Sequence, residues 1–487
     1  MIENTVAPIA SLNIADLPGP RGLPLLGNAL QVDRHRLHQQ LEGWAREYGD
    51  AFTFTILSRR FLVLANPETV AGVLRDRPDG FRRSSRLEQI SREFGFLGLF
   101  SANGETWRRQ RPMVLAGLDP SHIKAFFPTL VQVTERLAGR WRKAAASGTP
   151  IDLQADLMRY TVDVTAALAF GEDINTIEAE HEQTIQQHLN HVLPALFKRV
   201  FSPFQSWKYF PSAQDRAMPG HLLAIHEAVN GFIAKTARKL QEQPGLRERP
   251  ANLIQAMMAA RDRDGSGITD GDVSGNVLTM LLAGEDTTAN TLAWLIWLLH
   301  KNPAALRQAT DEARAVLAGA MSPRSVEEVG KLDFIEACAY EAMRLKPVAP
   351  LIVSEALKDC VVAGIAVPAG SLLMGLMRPG GLDERNFAAP MKFDPTRWID
   401  GAGAAAHSLN SPKRAVMPFG AGPRICPGRY LALTEIKMVM AMLLANFEIA
   451  DVSTADGADP QERISITRCP VGLSMRLTEA HAPTSSL

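Results

Sequence analysis

The sequence predicts a mainly α-helical protein with a minor β part (α+β), arranged as a single large domain. Helical spacing dominates residues 67–345, whereas β-rich runs occupy 51–66 and short Pro- and Gly-rich strands occupy 347–397. No internal repeat and no linker-like composition interrupts the 487 residues. We therefore expect one domain over residues 16–479, between a flexible N-terminal segment (1–15) and a flexible C-terminal tail (480–487).

The individual elements follow from local patterns. "LHQQLEGWAREYG" has helical spacing, and "AFTFTILSRRFLVLAN" predicts a hairpin that turns at 58–60. "GNVLTMLLAGEDTTANTLAWLIWLLH" is long enough to cross a membrane, but Glu285 and Asp286 would lie at mid-depth. We therefore expect a buried helix there and no transmembrane anchor. "ITRCPVGLSMRL" predicts a final hairpin.

Composition narrows the class of protein. Lys plus Arg and Asp plus Glu both total 52, so neither nucleic acid nor an anionic membrane is expected as a partner. The opening residues contain no export signal, since the first basic residue is Arg21. No CxxC pair occurs, which argues against a disulfide framework or a zinc cluster and fits a reducing cytoplasm; the cysteines are Cys338, Cys360, Cys426 and Cys469.

One cysteine lies in an unusual loop, "MPFGAGPRICPGRY", just before an apolar stretch that predicts a helix over 428–446. A metal-binding cysteine must be a thiolate, and a helix N-terminus favours that anion. The loop lacks side chains at three glycines, which allows a sharp turn or a close approach to a flat group: Gly420, Gly422 and Gly428. The Arg424 guanidinium has the geometry to pair with a carboxylate. A haem has both a flat face and propionates.

This loop resembles the cysteine loop of the cytochrome P450 family, whose pattern is Phe-x-x-Gly-x-Arg-x-Cys-x-Gly. All of its fixed residues match: Phe419, Gly422, Arg424, Cys426 and Gly428. The resemblance, to a soluble, bacterial-type member, implies a haem between the long central helix and the helix that follows the loop. It also implies haem b (iron protoporphyrin IX) ligated by Cys426 and contacted by Phe419, Gly420, Arg424 and Gly428, with O2 as co-substrate.

Two further segments resemble the same family. "EAMR" places Glu341 and Arg344 on one helix face, where they can pair. The resemblance implies that Arg397 of "FDPTRW" joins them in a structural lock beneath the haem. "WRRQR" places Trp107 and Arg111 at i and i+4, the positions from which family members donate to the haem propionates.

The central helix carries the residues that the resemblance assigns to catalysis. An acid and a threonine in an apolar helix, as in "AGEDTT", lose solvation on burial, which indicates a functional role. In the family, the positions of Ala283 and Gly284 form an oxygen groove, and those of Asp286 and Thr287 deliver protons. Glu285 adds a second acid between them.

The sequence departs from the family at two places. Many relatives have an arginine that contacts a propionate where "LIVSEALKD" offers Ser354 and Glu355. That contact is therefore absent or supplied elsewhere. "MRPGGLDERNFAAP" also inserts residues around 379–381.

The resemblance implies a haem-thiolate monooxygenase that inserts one oxygen atom of O2 into a lipophilic small molecule, by default as a hydroxyl group. Electrons are expected from a separate ferredoxin or flavodoxin with its reductase, and so indirectly from NAD(P)H. A basic patch is expected to steer that partner, formed by Lys413, Arg414, Arg429 and Lys437. We expect a cytoplasmic monomer.

The substrate pocket is predicted to be apolar, which suggests a fatty acid, terpenoid or steroid-like substrate. Its predicted residues are Phe94, Phe96, Phe100, Met280, Ala283, Val348, Leu351, Ile352 and Val471.

Three alternative functions fit parts of the sequence. A peroxide-using peroxygenase and a non-catalytic haem-binding sensor both lack a need for the pair Asp286 and Thr287. A nicotinamide-binding dehydrogenase, suggested by "GAG", fails because Ile425 occupies the third glycine position and no βαβ pattern surrounds it.

Overall fold

The computed structural model describes residues 12–179, 184–202, 204–399, 412–465 and 467–480. These residues form the mainly helical domain with a smaller sheet part that the sequence predicts. The helices are α1 Leu37–Tyr48, α2 Pro67–Arg75, α3 Ser85–Glu93, α4 Gly104–Gly117, α5 Pro120–Ser147, α6 Leu153–Phe170, α7 Thr184–Phe201, α8 Ser206–Tyr209, α9 Ala213–Glu242, α10 Leu253–Arg261, α11 Asp270–Lys301, α12 Pro303–Leu317, α13 Val326–Val329, α14 Asp333–Leu345 and α15 Arg429–Asn446.

The strands are short, and most of them lie towards the two ends of the chain. They are β1 Leu12–Asn13, β2 Ala51–Ile56, β3 Arg59–Leu64, β4 Phe81–Arg83, β5 Ile151–Asp152, β6 Leu351–Ala356, β7 Cys360–Val362, β8 Ile365–Val367, β9 Leu372–Leu376, β10 Phe447–Ser453, β11 Glu462–Ile464, β12 Arg468–Pro470 and β13 Ser474–Glu479.

Helix α11 runs through the centre of the helical layer and packs against α6, α14 and α15. A capping box starts it: Asp272 N donates to Thr269 Oγ1 (3.1 Å), and Thr269 N donates to Asp272 Oδ2 (2.9 Å). Because its apolar stretch is buried in the protein core, the expectation of a buried helix is confirmed. Among the described residues, no helix combines the length and apolarity needed to cross a membrane.

The largest sheet has the order β2-β3-β9-β6-β4. The predicted hairpin is its first antiparallel pair, β2 and β3, with the turn at 57–58 rather than 58–60. Strand β4 forms the opposite edge and pairs antiparallel with β6, which places Arg82 across from Glu355 and Arg83 across from Ser354.

The predicted final hairpin is wrong. Strand β12 pairs with β11, and β13 pairs with β10 and β5, so the two segments expected to pair with each other do not. The connector explains this difference: Val471 N donates to Gln461 O (2.9 Å), and Leu153 N donates to Leu473 O (3.2 Å). These bonds direct the two strands to separate partners.

The N-terminal expectation needs a partial correction. Leu12 and Asn13 pair in parallel with β8, and a 3-10 turn follows at Ile14–Asp16. Residues 12–15, expected to be flexible, therefore belong to the folded part. Residues 1–11 and 481–487 lie outside the described residues. Ala480, the first residue of the predicted C-terminal tail, donates its backbone N–H to Asn446 O at 3.0 Å.

Candidate active site

The loop around Cys426 is fixed by its own backbone. Cys426 N donates to Phe419 O at 2.9 Å, which closes the loop, and Gly428 is the N-cap of α15. Arg111 Nη2 on α4 donates to Ile425 O at 2.7 Å. The predicted helix over 428–446 is confirmed, starting one residue later. Cys426 therefore lies at a helix N-terminus, held between α15 and α4.

Two glycines of the loop have positive φ angles that favour glycine, namely +76° at Gly420 and +71° at Gly422. A Cβ atom at Gly422 would lie 2.6 Å from Arg75 Cα, so the loop packs directly against the end of α2. The close approach at Gly422 is therefore to the backbone of α2, and not to a flat group as the sequence suggests.

Cys426 is an exposed residue, although protein atoms crowd around its thiol. Burial raises the pKa of Cys426, while the Gly428 N–H and the charges of Arg111, Arg83 and Arg429 oppose that rise. A bound metal cation stabilises a thiolate far more strongly than such dipoles and distant charges do.

The donor set fits a haem rather than a bare metal ion. Among the described residues, no group of three His, Cys, Asp or Glu side chains could hold a metal. A single thiolate needs a metal whose other ligands come from elsewhere, and a porphyrin supplies four of them. The wall beside Cys426 is rich in arginine, which suits the two propionates of haem.

Arg424 and Trp107 lie against each other in this wall, with the Arg424 guanidinium carbon 5.1 Å from the indole centroid. Arg424 donates to Leu99 O (3.1 Å), Ala102 O (2.6 Å) and Asn103 Oδ1 (3.0 Å). It therefore ties the cysteine loop to the segment before α4, a role that the sequence did not indicate. The structure brings Trp107, Arg111 and Arg424 to one side of the cysteine loop.

Helix α11 presents its polar residues next to an accessible Ala283. Thr287 Oγ1 donates to Ala283 O at 2.9 Å. Gly284 faces α6 instead, because a Cβ atom there would lie 2.3 Å from Thr165 Oγ1. Thr161 Oγ1, also on α6, donates to Glu285 O at 2.8 Å. These contacts fix the segment of α11 that carries the predicted catalytic pair.

Asp286 is a half-buried carboxyl group on α11. Burial alone raises the pKa of Asp286 to about 6. A carboxyl group with a pKa near the operating pH can both hold and release a proton, which is the requirement for general acid–base catalysis.

Glu341 and Arg344 form a fully buried, bidentate ion pair on α14. Arg344 Nε and Nη2 donate to Glu341 at 2.8 and 2.7 Å, and Arg397 Nε donates to it at 3.3 Å. Trp398 Nε1 adds a bond at 2.9 Å. Arg344 Nη1 also donates to Gly381 O (2.5 Å), so the inserted residues around 379–381 help to enclose this ion pair. The structure thus brings the expected trio together.

The predicted pocket residues differ in exposure. Phe94 and Phe96 are buried and packed edge to face, with centroids 5.6 Å apart, whereas Phe100 is 43% exposed. Val348 is buried and Ala283 is exposed; those that are half-buried are Met280, Leu351, Ile352 and Val471.

One of the four residues predicted to form the basic patch, Lys437, does not belong to it. Lys437 is buried and donates to Glu336 at 2.7 Å, so it forms an internal ion pair and is not part of the surface. Arg429 is exposed, whereas Lys413 and Arg414 are half-buried. Helix position alone could not reveal that α14 covers Lys437.

Two ionisable residues near the site, the half-buried Arg83 and the buried Glu435, have no signal in the sequence. Arg83 on β4 acts electrostatically on Cys426. Glu435 on α15 hydrogen-bonds Thr288, next to the predicted catalytic pair, and burial raises the pKa of Glu435 to about 8. Neither residue belongs to a recognisable motif, because each lies near the site only through contacts between residues that are distant in the sequence.

The mainly helical fold, the cysteine at a helix N-terminus and the arginines near it are features that suit a haem-thiolate protein. The family model described as "Cytochrome P450" matches residues 17–475, and the chain belongs to this family. The protein is therefore an oxidoreductase that uses haem and O2, incorporates oxygen into a substrate and needs a source of electrons.

The relatives span a wide range of organisms. Cytochrome P450 CYP94D108 of Paris polyphylla is 28% identical over 88% of this chain and 86% of its own length. Pentalenene oxygenase of Streptomyces avermitilis is 25% identical over 90% of this chain and 92% of its own. The self-sufficient cytochrome P450 monooxygenase CYP505U2 of Exserohilum turcicum is 26% identical over 97% of this chain but only 43% of its own length.

Proposed function

We propose that this haem-thiolate monooxygenase hydroxylates a lipophilic small molecule of the fatty-acid, terpenoid or steroid type. Cys426 would hold the haem through its thiolate, and Trp107, Arg111 and Arg424 would contact the cofactor from α4 and the cysteine loop. When bound, the haem supplies the activation of O2. The observation that carries the proposal is the pair Asp286 and Thr287, which lies on α11 beside an accessible Ala283.

The pair is suited to a proton relay. Thr287 Oγ1 donates to the Ala283 carbonyl oxygen, so this hydroxyl is oriented by the helix itself. Asp286, with its pKa of about 6, can take up a proton from solvent and pass it on at the same pH. Oxygen activation consumes protons, so a relay here favours a monooxygenase over a peroxygenase, which obtains its oxygen already reduced.

The apolar character of the predicted pocket supports the substrate class. The buried aromatic pair of Phe94 and Phe96 would form one wall of the pocket, while Met280, Leu351 and Ile352 keep partly accessible apolar surface. Such a surface binds a lipophilic substrate and keeps water away from it.

Electrons are proposed to come from a ferredoxin or flavodoxin whose reductase uses NAD(P)H. Support comes from the partly exposed cations Lys413, Arg414 and Arg429 next to the cysteine loop, which can attract an acidic partner. We further propose a cytoplasmic monomer, since all four cysteines are free thiols, as a reducing compartment requires.

The test is a coupled turnover assay. The ferric protein is first titrated with representatives of the three lipid classes, and the compound that shifts its haem absorption spectrum is used as substrate. With a ferredoxin and its reductase, we expect Thr287→Ala to consume NAD(P)H but to convert about tenfold less of it into product, because protons no longer reach the reacting oxygen.

The matched control is Thr291→Ala, since Thr291 lies one turn further along α11 and donates to Thr287 O at 2.8 Å. It should remain coupled like the wild type. Equal coupling in all three proteins would contradict the relay, and product formation with peroxide but none with the electron-transfer system would favour the peroxygenase.

A further inference from the structure

Three histidines meet where helices α7 and α9 pack against each other. His188 Nδ1 lies 2.8 Å from His221 Nδ1, and the His191 ring stacks on the His221 ring with centroids 4.5 Å apart. His188 and His191 lie three residues apart on α7 and so share one face of that helix, whereas His221 belongs to α9. These three residues, the histidine cluster, therefore form part of the contact between the two helices.

The contact between His188 and His221 holds only one proton. In a hydrogen bond between two imidazole nitrogens, one nitrogen donates its proton and the other must be unprotonated to accept it. Protonation of both rings would bring two N–H groups and two positive charges together. Burial and then the charges of His191 and His188 hold the pKa of His221 below its ordinary value. The packing of α7 on α9 therefore resists a second proton, and a second proton weakens that packing.

Acidic residues that could offset these charges are missing from the sequence next to the cluster. Residues 184–192 of α7 and 217–225 of α9 contain no Asp or Glu. Charged groups on the two helices and on the elements packed against them have other partners: Arg199 of α7 pairs with Asp215 of α9; on α3, Glu88 pairs with Arg92, Glu93 pairs with Lys208 and Arg86 donates to Arg199 O; on α10, Arg261 pairs with Asp262 and Asp270; on α11, Asp272 pairs with Arg109. The charge of the histidine cluster is therefore set mainly by the pH.

Both helices of this contact hold Phe94, a predicted wall of the substrate pocket. On α9, His226 Nε2 lies 3.0 Å from Phe94 O and donates to it, because a carbonyl oxygen can only accept. On α7, the Arg199 guanidinium carbon lies 5.0 Å from the centroid of the Phe94 ring. Protonation of His226 would leave its bond to Phe94 intact, whereas a displacement of α7 from α9 would separate the two groups that hold Phe94.

We propose that the histidine cluster is a pH-sensitive switch on substrate binding. With at most one shared proton it joins α7 to α9 and keeps Phe94 in place, whereas protonation of both His188 and His221 drives the helices apart and weakens binding of the lipophilic substrate. This inference rests on the proposed function, because it takes Phe94 as a wall of the substrate pocket. Since the packed helices lower the pKa of His221, separated helices bind the second proton more tightly, and acidification below about pH 6.5 favours separation.

Hydrogen exchange of the holoprotein tests the movement of α7 without any substrate. The variant is His221→Gln, because a glutamine amide can still bond to His188 but cannot take up a proton. At about pH 5.5 we expect the amides of residues 184–201 to exchange about tenfold faster in the wild type than in His221→Gln, whereas at about pH 7.5 we expect equal rates. Comparison of the two proteins at the same pH removes the intrinsic pH dependence of amide exchange.

Substrate binding gives the second measurement. The probe is 1-dodecanol, which is lipophilic and has no titrating group, and its dissociation constant is measured from the shift of the haem absorption spectrum. Between about pH 7.5 and pH 5.5, this constant should rise about tenfold more in the wild type than in His221→Gln, a comparison in which any effect of Asp286 cancels. The matched control is His300→Gln, which removes a half-buried histidine at the end of α11 and should behave like the wild type.

Equal exchange of residues 184–201 in the wild type and in His221→Gln at the acidic pH overturns the proposal. Faster exchange in the wild type with an unchanged dissociation constant overturns the link to the substrate pocket. Should His221→Gln not fold, His188→Gln removes the other titrating partner, and the same two outcomes apply. If 1-dodecanol shifts the spectrum at neither pH, the proposed substrate class is wrong, while the exchange measurement still decides whether the histidine cluster separates the helices.

Discussion

At the residue scale, the cysteine loop was the easiest part of the site to predict. Spacing along the chain is enough to place Cys426 before a helix and to place Glu341 and Arg344 on one face. Arg83 and Glu435 could not be predicted, since their importance depends on contacts with residues far away in the sequence. The burial of Lys437 against Glu336 was missed for the same reason.

The environment of Glu435 gives a prediction for stability as a function of pH. Burial raises the pKa of Glu435 to about 8, whereas a glutamate in the unfolded chain ionises at its ordinary pKa of about 4.3. The folded state therefore holds this proton more tightly than the unfolded state does. The contribution of Glu435 to stability is complete at a pH below its pKa in the unfolded chain. This contribution is lost as the pH rises towards the pKa of Glu435 in the folded protein.

Replacement by a non-titrating isostere should remove this dependence. Between about pH 5 and pH 8, the free energy of unfolding of Glu435→Gln should improve relative to the wild type by about 1.4 kcal/mol for each pH unit. Urea titrations of the holoproteins at several pH values measure this difference. Glu448→Gln, at an exposed position on β10, is the control and should keep a small, constant offset. A constant offset for Glu435→Gln as well would mean that Glu435 is ionised in the folded protein.

At the element scale, helices were predicted well because their periodicity is local. The central helix and α15 appear where the sequence places them, and the first hairpin differs only in its turn. The final hairpin was predicted wrongly because strand pairing is decided by partners elsewhere in the chain: β11 for one segment, and β10 and β5 for the other.

The packing of the cysteine loop against α2 gives a prediction at this scale. Gly422→Ala introduces a Cβ atom 2.6 Å from Arg75 Cα at a φ of +71°, so both backbone strain and a steric clash are expected. The loop should move away from α2, with a loss of about 2 kcal/mol or more in the free energy of unfolding and faster loss of haem.

Gly364→Ala is the matched control, since Gly364 has a φ of +77° but nothing within 4 Å of its Cβ position. It should lose about 1–2 kcal/mol from strain alone and retain haem normally. Equal haem retention in the two variants would show that the contact with α2 does not position the cysteine loop.

At the scale of the whole molecule, the site is assembled from elements distant in the chain. The arginines around the cysteine loop come from β4, α4, the loop itself and the segment after α2, and the proposed catalytic pair comes from α11. The buried ion pair of Glu341 and Arg344 connects α14 to the turns at Pro379–Leu382 and Pro395–Trp398. The family could be predicted from sequence, whereas the clustering of arginines around the cysteine loop required the fold.

The central claim is that the Cys426 thiolate binds the haem iron. The most direct measurement is the absorption spectrum of the reduced holoprotein with carbon monoxide. We predict the Soret band displaced to long wavelength that thiolate ligation produces, and its loss in Cys426→Ser. A wild-type band at the shorter wavelength of nitrogen or oxygen ligation, or a long-wavelength band retained by Cys426→Ser, would contradict the account.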